Sequence, residues 1–348
     1  MDNARWWLHV QAVFWRFLMG IGMFLHTAGI ARPPPPSFVR RIPFDNNNKT
    51  NRKRNVKLYF YCPPAYYRYR ATHEGRPLPV VVNFHGGGFT LGSATDDSFW
   101  AQCVMQETGA VYVSVDYRRA PEYPFPAAVD DCVEALLYLA VHAGELGIDA
   151  SRIVLTGFSA GGNLAITVPL RLQNRIKNDT GSDIIDIGPF DSTQNLVTGQ
   201  GNLQILATFA WYPLLDFVAS REHRRATSVF PGKTMPAFFT NLFDEAYIPD
   251  HDLRSSPFAS PERAPDEMLE EGLPQHIFLY TCEWDMLLDE GQRFVRRLEA
   301  MGKKVRAMMI EKAPHAWDKS PNPFRDQGSI NIIYQTACAE MKAIFDQN

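Results

Sequence analysis

The sequence predicts an α/β fold built on a mostly parallel sheet, and three observations carry that reading. Between residues 55 and 348, short β-branched or aromatic runs alternate with helix-length segments, the pattern of strands joined by crossover helices. No internal repeat or long low-complexity tract breaks the alternation. The 348 residues, 45% hydrophobic and 21% charged, suffice for one large core with an appended cap and exclude a mainly disordered chain.

The first element is a helix. From Trp6 to Leu25 the chain is apolar apart from His9, Gln11 and Arg16, and Trp6, Val10, Val13, Phe17, Ile21 and Phe24 recur at helical spacing. Its longest unbroken apolar run, Phe17 to Leu25, has nine residues, against about 18–20 for a spanning helix. The segment therefore reads as a cap helix packed on its own protein. The alternative is a membrane-surface contact through residues 6–25, with Arg5 and Arg16 at the headgroups. It makes a poor signal peptide, with a long n-region and no clear cleavage site, so a cytoplasmic or membrane-associated location is expected over secretion. Pro33-Pro34-Pro35-Pro36 then predicts a stiff spacer separating this helix from the body. Residues 1–54 hold nine basic and two acidic side chains, a balance of +7 against −10 for residues 55–348.

In the body, strands are predicted at Val56–Cys62, Val80–Phe84, Val111–Val115, Ile153–Thr156, Leu203–Trp211, His276–Cys282 and Val305–Ile310. Helices are predicted at Ser98–Glu107, Ala127–Ala143, Ala160–Gln173, Leu288–Met301 and Ile330–Asp346, with Pro169 kinking or ending the third. The polar stretch Asn174–Gly201 reads as a surface insertion. Met235, Phe238, Phe239, Leu242, Phe243 and Tyr247, at helical spacing with no strand around them, predict a lid helix within a cap insertion at about 214–255.

The net charge of −3 gives no basic field for a nucleic acid. The five cysteines lack metal-site spacing and read as buried thiols, with room for one bridge. The chemistry lies elsewhere. Gly157-Phe158-Ser159-Ala160-Gly161 is a G-x-S-x-G pentapeptide between a strand run and a helix run, which projects Ser159 above the sheet's carboxyl edge beside a helix N-terminus. On its own the pentapeptide could be an ordinary glycine-rich turn with an N-cap serine. A second motif, His85-Gly86-Gly87-Gly88-Phe89, directly follows a strand, and its glycines let backbone N–H groups turn inward as an oxyanion hole requires. Phosphate binding is the weaker reading of these glycines, since neither a Walker A lysine nor G-x-G-x-x-G is present.

A serine hydroxyl needs a base, and the base an orienting acid, in the chain order Ser, acid, His. His315, just beyond the last strand, fits the base; His223 and His251 fall in the lid segment, and His276 at the wrong end of a strand. Asp285 fits the acid. Glu283 is too near the strand end, and Asp289 and Glu290 fit the start of the next helix, with Asp289 the rival acid.

Over roughly residues 78–345 the chain resembles the hormone-sensitive-lipase-like group of α/β-hydrolases. The resemblance rests on His85-Gly86-Gly87-Gly88-Phe89, on Asp116-Tyr117-Arg118-Arg119-Ala120-Pro121-Glu122-Tyr123-Pro124-Phe125-Pro126, and on Gly157-Phe158-Ser159-Ala160-Gly161-Gly162. It implies the α/β-hydrolase fold, about eight strands with a helical cap drawn from N-terminal and midchain residues. It implies Ser159 as nucleophile, Asp285 as acid, His315 as base and Gly86, Gly87, Gly88 and Ala160 around the oxyanion, with no metal or cofactor. His85 and Asp116-Tyr117-Arg118 are implied as scaffold for the glycine loop. Relatives often carry Asp in place of Phe158 and His-Gly-Phe in place of His315-Ala316-Trp317. The long N-terminal extension is similar to those of fungal members, some serving secondary metabolism. The function implied is hydrolysis of a small-molecule ester; the alternatives are a pathway acyltransferase or lyase, or a catalytically silent receptor. Trp211, Tyr212, Phe217, Phe238, Phe239, Phe243, Trp284 and Trp317 are expected near an aromatic pocket.

Overall fold

The computed structural model describes residues 2–27, 32–42, 56–181, 203–322 and 324–348. Eight strands form its sheet: β1 (Phe38–Arg41), β2 (Lys57–Tyr61), β3 (Leu78–Phe84), β4 (Val111–Asp116), β5 (Ile148–Phe158), β6 (Ile205–Trp211), β7 (His276–Cys282) and β8 (Lys304–Ile310). Their order is β1-β2-β4-β3-β5-β6-β7-β8, antiparallel at β1/β2 and β2/β4 and parallel elsewhere. The winding reverses between β3 and β5, and a crevice opens at the carboxyl ends of such a pair.

The strand runs are apolar on both sides because helices cover both faces. Val80 and Val82 face Leu136 and Leu137 of the helix Ala127–Val141 and Leu164 of the helix Ala160–Gly181. Val81, Tyr112 and Val154 point the other way, toward Trp100 of the helix Ser98–Thr108 and Tyr334 of the helix Gln327–Gln347. The cysteines are all free, with the Cys103 and Cys338 sulfurs 3.7 Å apart.

Several expectations need correction. Strand β1 escaped prediction because Phe38-Val39-Arg40-Arg41 is short, charged and at an edge, the composition that keeps an edge strand from pairing further. The helices Pro64–Thr72, Arg221–Thr227 and Asp266–Gly272 also went unpredicted, each too short for a periodic signal. The helix from Ala160 does not end at Pro169 but runs to Gly181. Proline removes the N–H that would meet the Ala165 carbonyl, and the Thr208 hydroxyl donates to that carbonyl instead, at 3.3 Å. Residues 174–181 thus belong to this helix, and most of the insertion expected after them lies outside the described residues.

The N-terminal helix, Asp2–Thr27, is not held apart from the body. Leu8, Trp15 and Met19 pack against the core. Arg16, placed at headgroups only in the alternative membrane-surface reading, donates to the Thr90 carbonyl (2.9 Å) and the Ala120 carbonyl (2.7 Å) and forks onto Glu122. At the helix end the buried His26 ring, through Nδ1, lies 2.9 Å from the Ser320 carbonyl. Burial lowers the His26 pKa from 6.5 to about 4, so the folded state holds it neutral where the unfolded chain binds a proton. This group's stabilisation is complete above 6.5 and lost as pH falls toward 4. The fall in the denaturant midpoint across that interval is expected to be smaller in His26→Phe than in the wild type.

Candidate active site

Strand β5 ends at Phe158, and the chain turns into the helix beginning at Ala160 with Ser159 held at φ +55 between them. A serine in that region is strained, and two bonds hold it there: its N–H donates to the Trp211 carbonyl (2.8 Å) and its carbonyl accepts from the Asn163 N–H (3.0 Å). The turn also needs glycine. A Cβ on Gly161 would strike the Phe84 and His85 carbonyls, so only a bare backbone lets the helix start against the end of β3.

His315 lies beyond β8 and Asp285 beyond β7, both nearly inaccessible to solvent. The imidazole Nε2 is 2.8 Å from the Ser159 Oγ, and Nδ1 is 2.5 Å from the Asp285 Oδ2. A carboxylate only accepts, so Nδ1–H donates to Asp285 and Nε2 is left to accept the serine proton. The other Asp285 oxygen takes the Leu287 N–H at 3.1 Å, which fixes the carboxylate's rotation. The rival acids stand elsewhere: Asp289 pairs with Arg293 on the surface, and Glu283 accepts from the Lys312 N–H at 2.6 Å.

A small, partly open cavity lies over Ser159, lined among others by Gly88, Ala160, Phe217, Arg221 and Phe243. Among the described residues, none accepts a hydrogen bond from the N–H of Gly87, Gly88 or Ala160. Gly88 and Ala160 face the cavity; Gly86 and Gly87 are not among its lining residues, and the Gly86 carbonyl lies 2.8 Å from the His85 Nδ1. Gly88 sits at φ +59 directly beneath the Phe243 ring.

The scaffold residues hold this loop from below. His85 is fully buried, stacked on Tyr117 at 4.1 Å, and the Tyr117 hydroxyl donates to the His85 carbonyl (2.7 Å). Burial lowers the pKa of His85 to about 4, keeping its ring neutral. Arg118 forks onto the buried Asp131, with Nη2 2.8 Å from Oδ1.

Of the eight aromatic residues expected near the pocket, Phe217 and Phe243 line it. Trp211 is fully buried in the core because β6 is a central strand, Phe238 stacks on Trp15 of the N-terminal helix, and Trp284 packs on Phe230. Tyr212 instead packs beside His315, the ring centres 4.9 Å apart. Its hydroxyl donates to Asp318 (2.5 Å), which also accepts from Tyr334. Lys319 completes this buried cluster, 2.8 Å from Asp97 and 3.2 Å from Asp318, with its ammonium 4.0 Å from the centre of the Phe158 ring. The two carboxylates raise its pKa against the opposing effect of burial.

Sequence reasoning missed Arg221. It lines the cavity while forking onto Asp244, with contacts of 2.7 and 2.5 Å. No motif surrounds Arg221-Glu222-His223, so its only signal was membership of the cap segment.

A hydroxyl, an imidazole and a carboxylate in series at the carboxyl edge of such a sheet define the serine-hydrolase class. Residues 81–319 match the family model described as alpha/beta hydrolase fold, and the chain belongs to that family. It is 33% identical over 266 residues to Lipase 2 of Moraxella sp. (strain TA144), covering 74% of this chain and 59% of the lipase. It is 30% identical to the arylesterase of Saccharolobus solfataricus, covering 82% of each. The crystal structure of a thermostable esterase from Pseudomonas putida superposes with a TM-score of 0.71 at 23% identity, over 93% of this chain and 88% of that one, a likeness of fold. With these relatives the chain stands among the esterase enzymes of the family.

Proposed function

We propose that this protein is a carboxylic ester hydrolase working through an acyl-serine intermediate, with Ser159 as nucleophile, His315 as base and Asp285 as the acid that orients it. The observation that carries the reading is the unbroken series from the Ser159 Oγ through His315 to Asp285. His315 takes the Ser159 proton as the oxygen attacks the ester carbonyl, and the N–H groups of Gly88 and Ala160, with Gly87 beside them, receive the oxyanion. The imidazolium then protonates the departing alcohol. Water repeats the sequence on the acyl-serine and releases the acid. The N-terminal helix and the insertion at about 214–255 serve as the cap of the catalytic domain formed by residues 55–348.

A small cavity with mostly apolar walls favours a short or medium acyl ester, or an acetylated metabolite, over a long-chain triglyceride. Arg221 and Thr240 supply the polar side chains of its cap side. Fungal relatives such as the esterase of Gibberella moniliformis, 27% identical, support a place beside fungal members.

A fluorophosphonate probe is expected to label Ser159 in the wild type and to fail in His315→Ala. On p-nitrophenyl esters, kcat/KM is expected to peak between acetyl and octanoyl and to collapse at palmitoyl. Absence of labelling in the folded wild type would leave a silent receptor as the better reading. Gly88→Ala tests the oxyanion assignment, since a methyl group there meets the Phe243 ring and strains a left-handed backbone. It is expected to lower kcat by about 10²- to 10³-fold with little change in KM.

A further inference from the structure

The N-terminal helix has two apolar sides, and among the described residues only one of them has a neighbour. At 100° per residue, Ala12, Leu8, Trp15, Met19 and His26 fall within an arc of about 60°, and this is the side that packs on the body. Trp6, Val10, Val13, Phe17, Ile21 and Phe24 fall within about 80° on the opposite side. They are exposed, Phe17 at 68%, Trp6 at 66%, Phe24 at 62% and Val13 at 61%. Trp7, Phe14 and Leu25 widen the stripe, so large apolar side chains cover nearly the whole outer length of a 26-residue helix. Single exposed apolar residues are ordinary, but a continuous aromatic stripe marks an interaction surface.

We propose that this stripe seats the enzyme on an anionic bilayer surface, with the helix lying in the interface. Charge supports that occupant. Residues 1–54 carry +7 while the rest of the chain carries −10, so along the sequence the positive charge is concentrated in the stretch that contains the stripe. Tryptophan and phenylalanine on the outward side are the residues that settle at headgroup depth. By length and composition Arg5–Thr27 could also cross a membrane. Arg16, at the middle of that span, is held instead by the Thr90 and Ala120 carbonyls and by Glu122. Crossing would break all three and carry a charge to the bilayer centre.

The placement bears on substrate supply. Trp15, on the docked side, stacks on Phe238 (5.1 Å) and packs on Phe239 (4.5 Å), at the start of the helix Ala237–Tyr247. That same helix contributes Thr240 and Phe243 to the cavity wall, while Phe238 is half-exposed beside the stripe. One helix thus separates the membrane-facing surface from the site, and esters partitioned into the bilayer are the class of substrate this arrangement would reach.

The test is flotation of the full chain with vesicles of phosphatidylcholine alone and with added phosphatidylserine, for the wild type and for Val13→Glu/Phe17→Glu/Phe24→Glu. The wild type is expected to float, more so with phosphatidylserine, and the triple variant to lose binding by at least about tenfold per charge placed in the stripe. None of the three residues touches the cavity, so turnover of soluble p-nitrophenyl acetate should match in both proteins, and flotation is read whether or not that ester is turned over. Failure of the wild type to float, or equal flotation of the variant, overturns the proposal. So does a wild-type dimer that the variant dissociates while neither binds vesicles, which would make the occupant a second copy. Wild-type protein resisting alkaline carbonate extraction would assign the helix to a spanning role instead.

Discussion

Alanine at Ser159 or at His315 is expected to lower kcat on an activated ester by about 10⁶-fold, leaving only the residue supplied by binding and the oxyanion site. The two side chains form one proton-transfer unit, joined at 2.8 Å, so the double variant should cost little more than either single one. Ser159→Ala removes a single oxygen and retains the backbone bonds to Trp211 and Asn163, whereas His315→Ala empties a ring-sized space and leaves the buried Asp285 without its imidazole partner, so the stability control rests on Ser159→Ala. The measurement is single-turnover hydrolysis of p-nitrophenyl acetate alongside a denaturant midpoint. A drop in turnover with an unchanged midpoint is the expected result for Ser159→Ala. Near-wild-type turnover by purified Ser159→Ala would remove the acyl-serine from the mechanism.

The second large effect is expected at Asp285. Asparagine there keeps the oxygen that takes the Leu287 N–H, so the loop should hold its shape. Its amide can donate to the His315 Nδ1, which selects the tautomer with the proton on Nε2. That ring cannot accept a proton from Ser159. The expected loss is about 10⁴-fold in kcat at neutral pH. The carboxylate orients and does not itself carry the proton, so fluorophosphonate labelling of Ser159 should slow without disappearing. A loss under tenfold would move the acid's role to another residue, and Glu283 is the carboxylate to test next.

Much of the catalytic arrangement could be read before any coordinates. Ser159, Asp285 and His315 each follow a strand run, and loops at strand carboxyl ends meet over a switch point, so residues far apart in sequence were expected to converge. The glycine loop was legible because three adjacent glycines after a strand serve little else. What escaped prediction depends on partners that sequence does not pair. Pro169 read as a kink or an early end because nothing in the sequence linked its turn of helix to Thr208 in β6. Trp211 and Tyr212 looked alike as aromatic neighbours of the site, yet one is a core ring and the other stands beside the base. Helical spacing singled out the outer stripe of the first helix without showing which side packs on the body. The docked face is instead set by Arg16, Trp15 and His26, whose partners lie 74 to 294 residues away.

The ring at position 158 constrains how this enzyme could exchange parts with its kin. Phe158 lies flat against Trp211, 5.5 Å between centres, and under the Lys319 ammonium, which already answers two carboxylates, Asp97 and Asp318. An aspartate in its place would add a third negative charge to a buried cluster with one cation and would empty the aromatic stack behind it. The pentapeptide at residues 157–161 is therefore not a portable cassette. Exchanging it would require exchanging the segment carrying Lys319 as well.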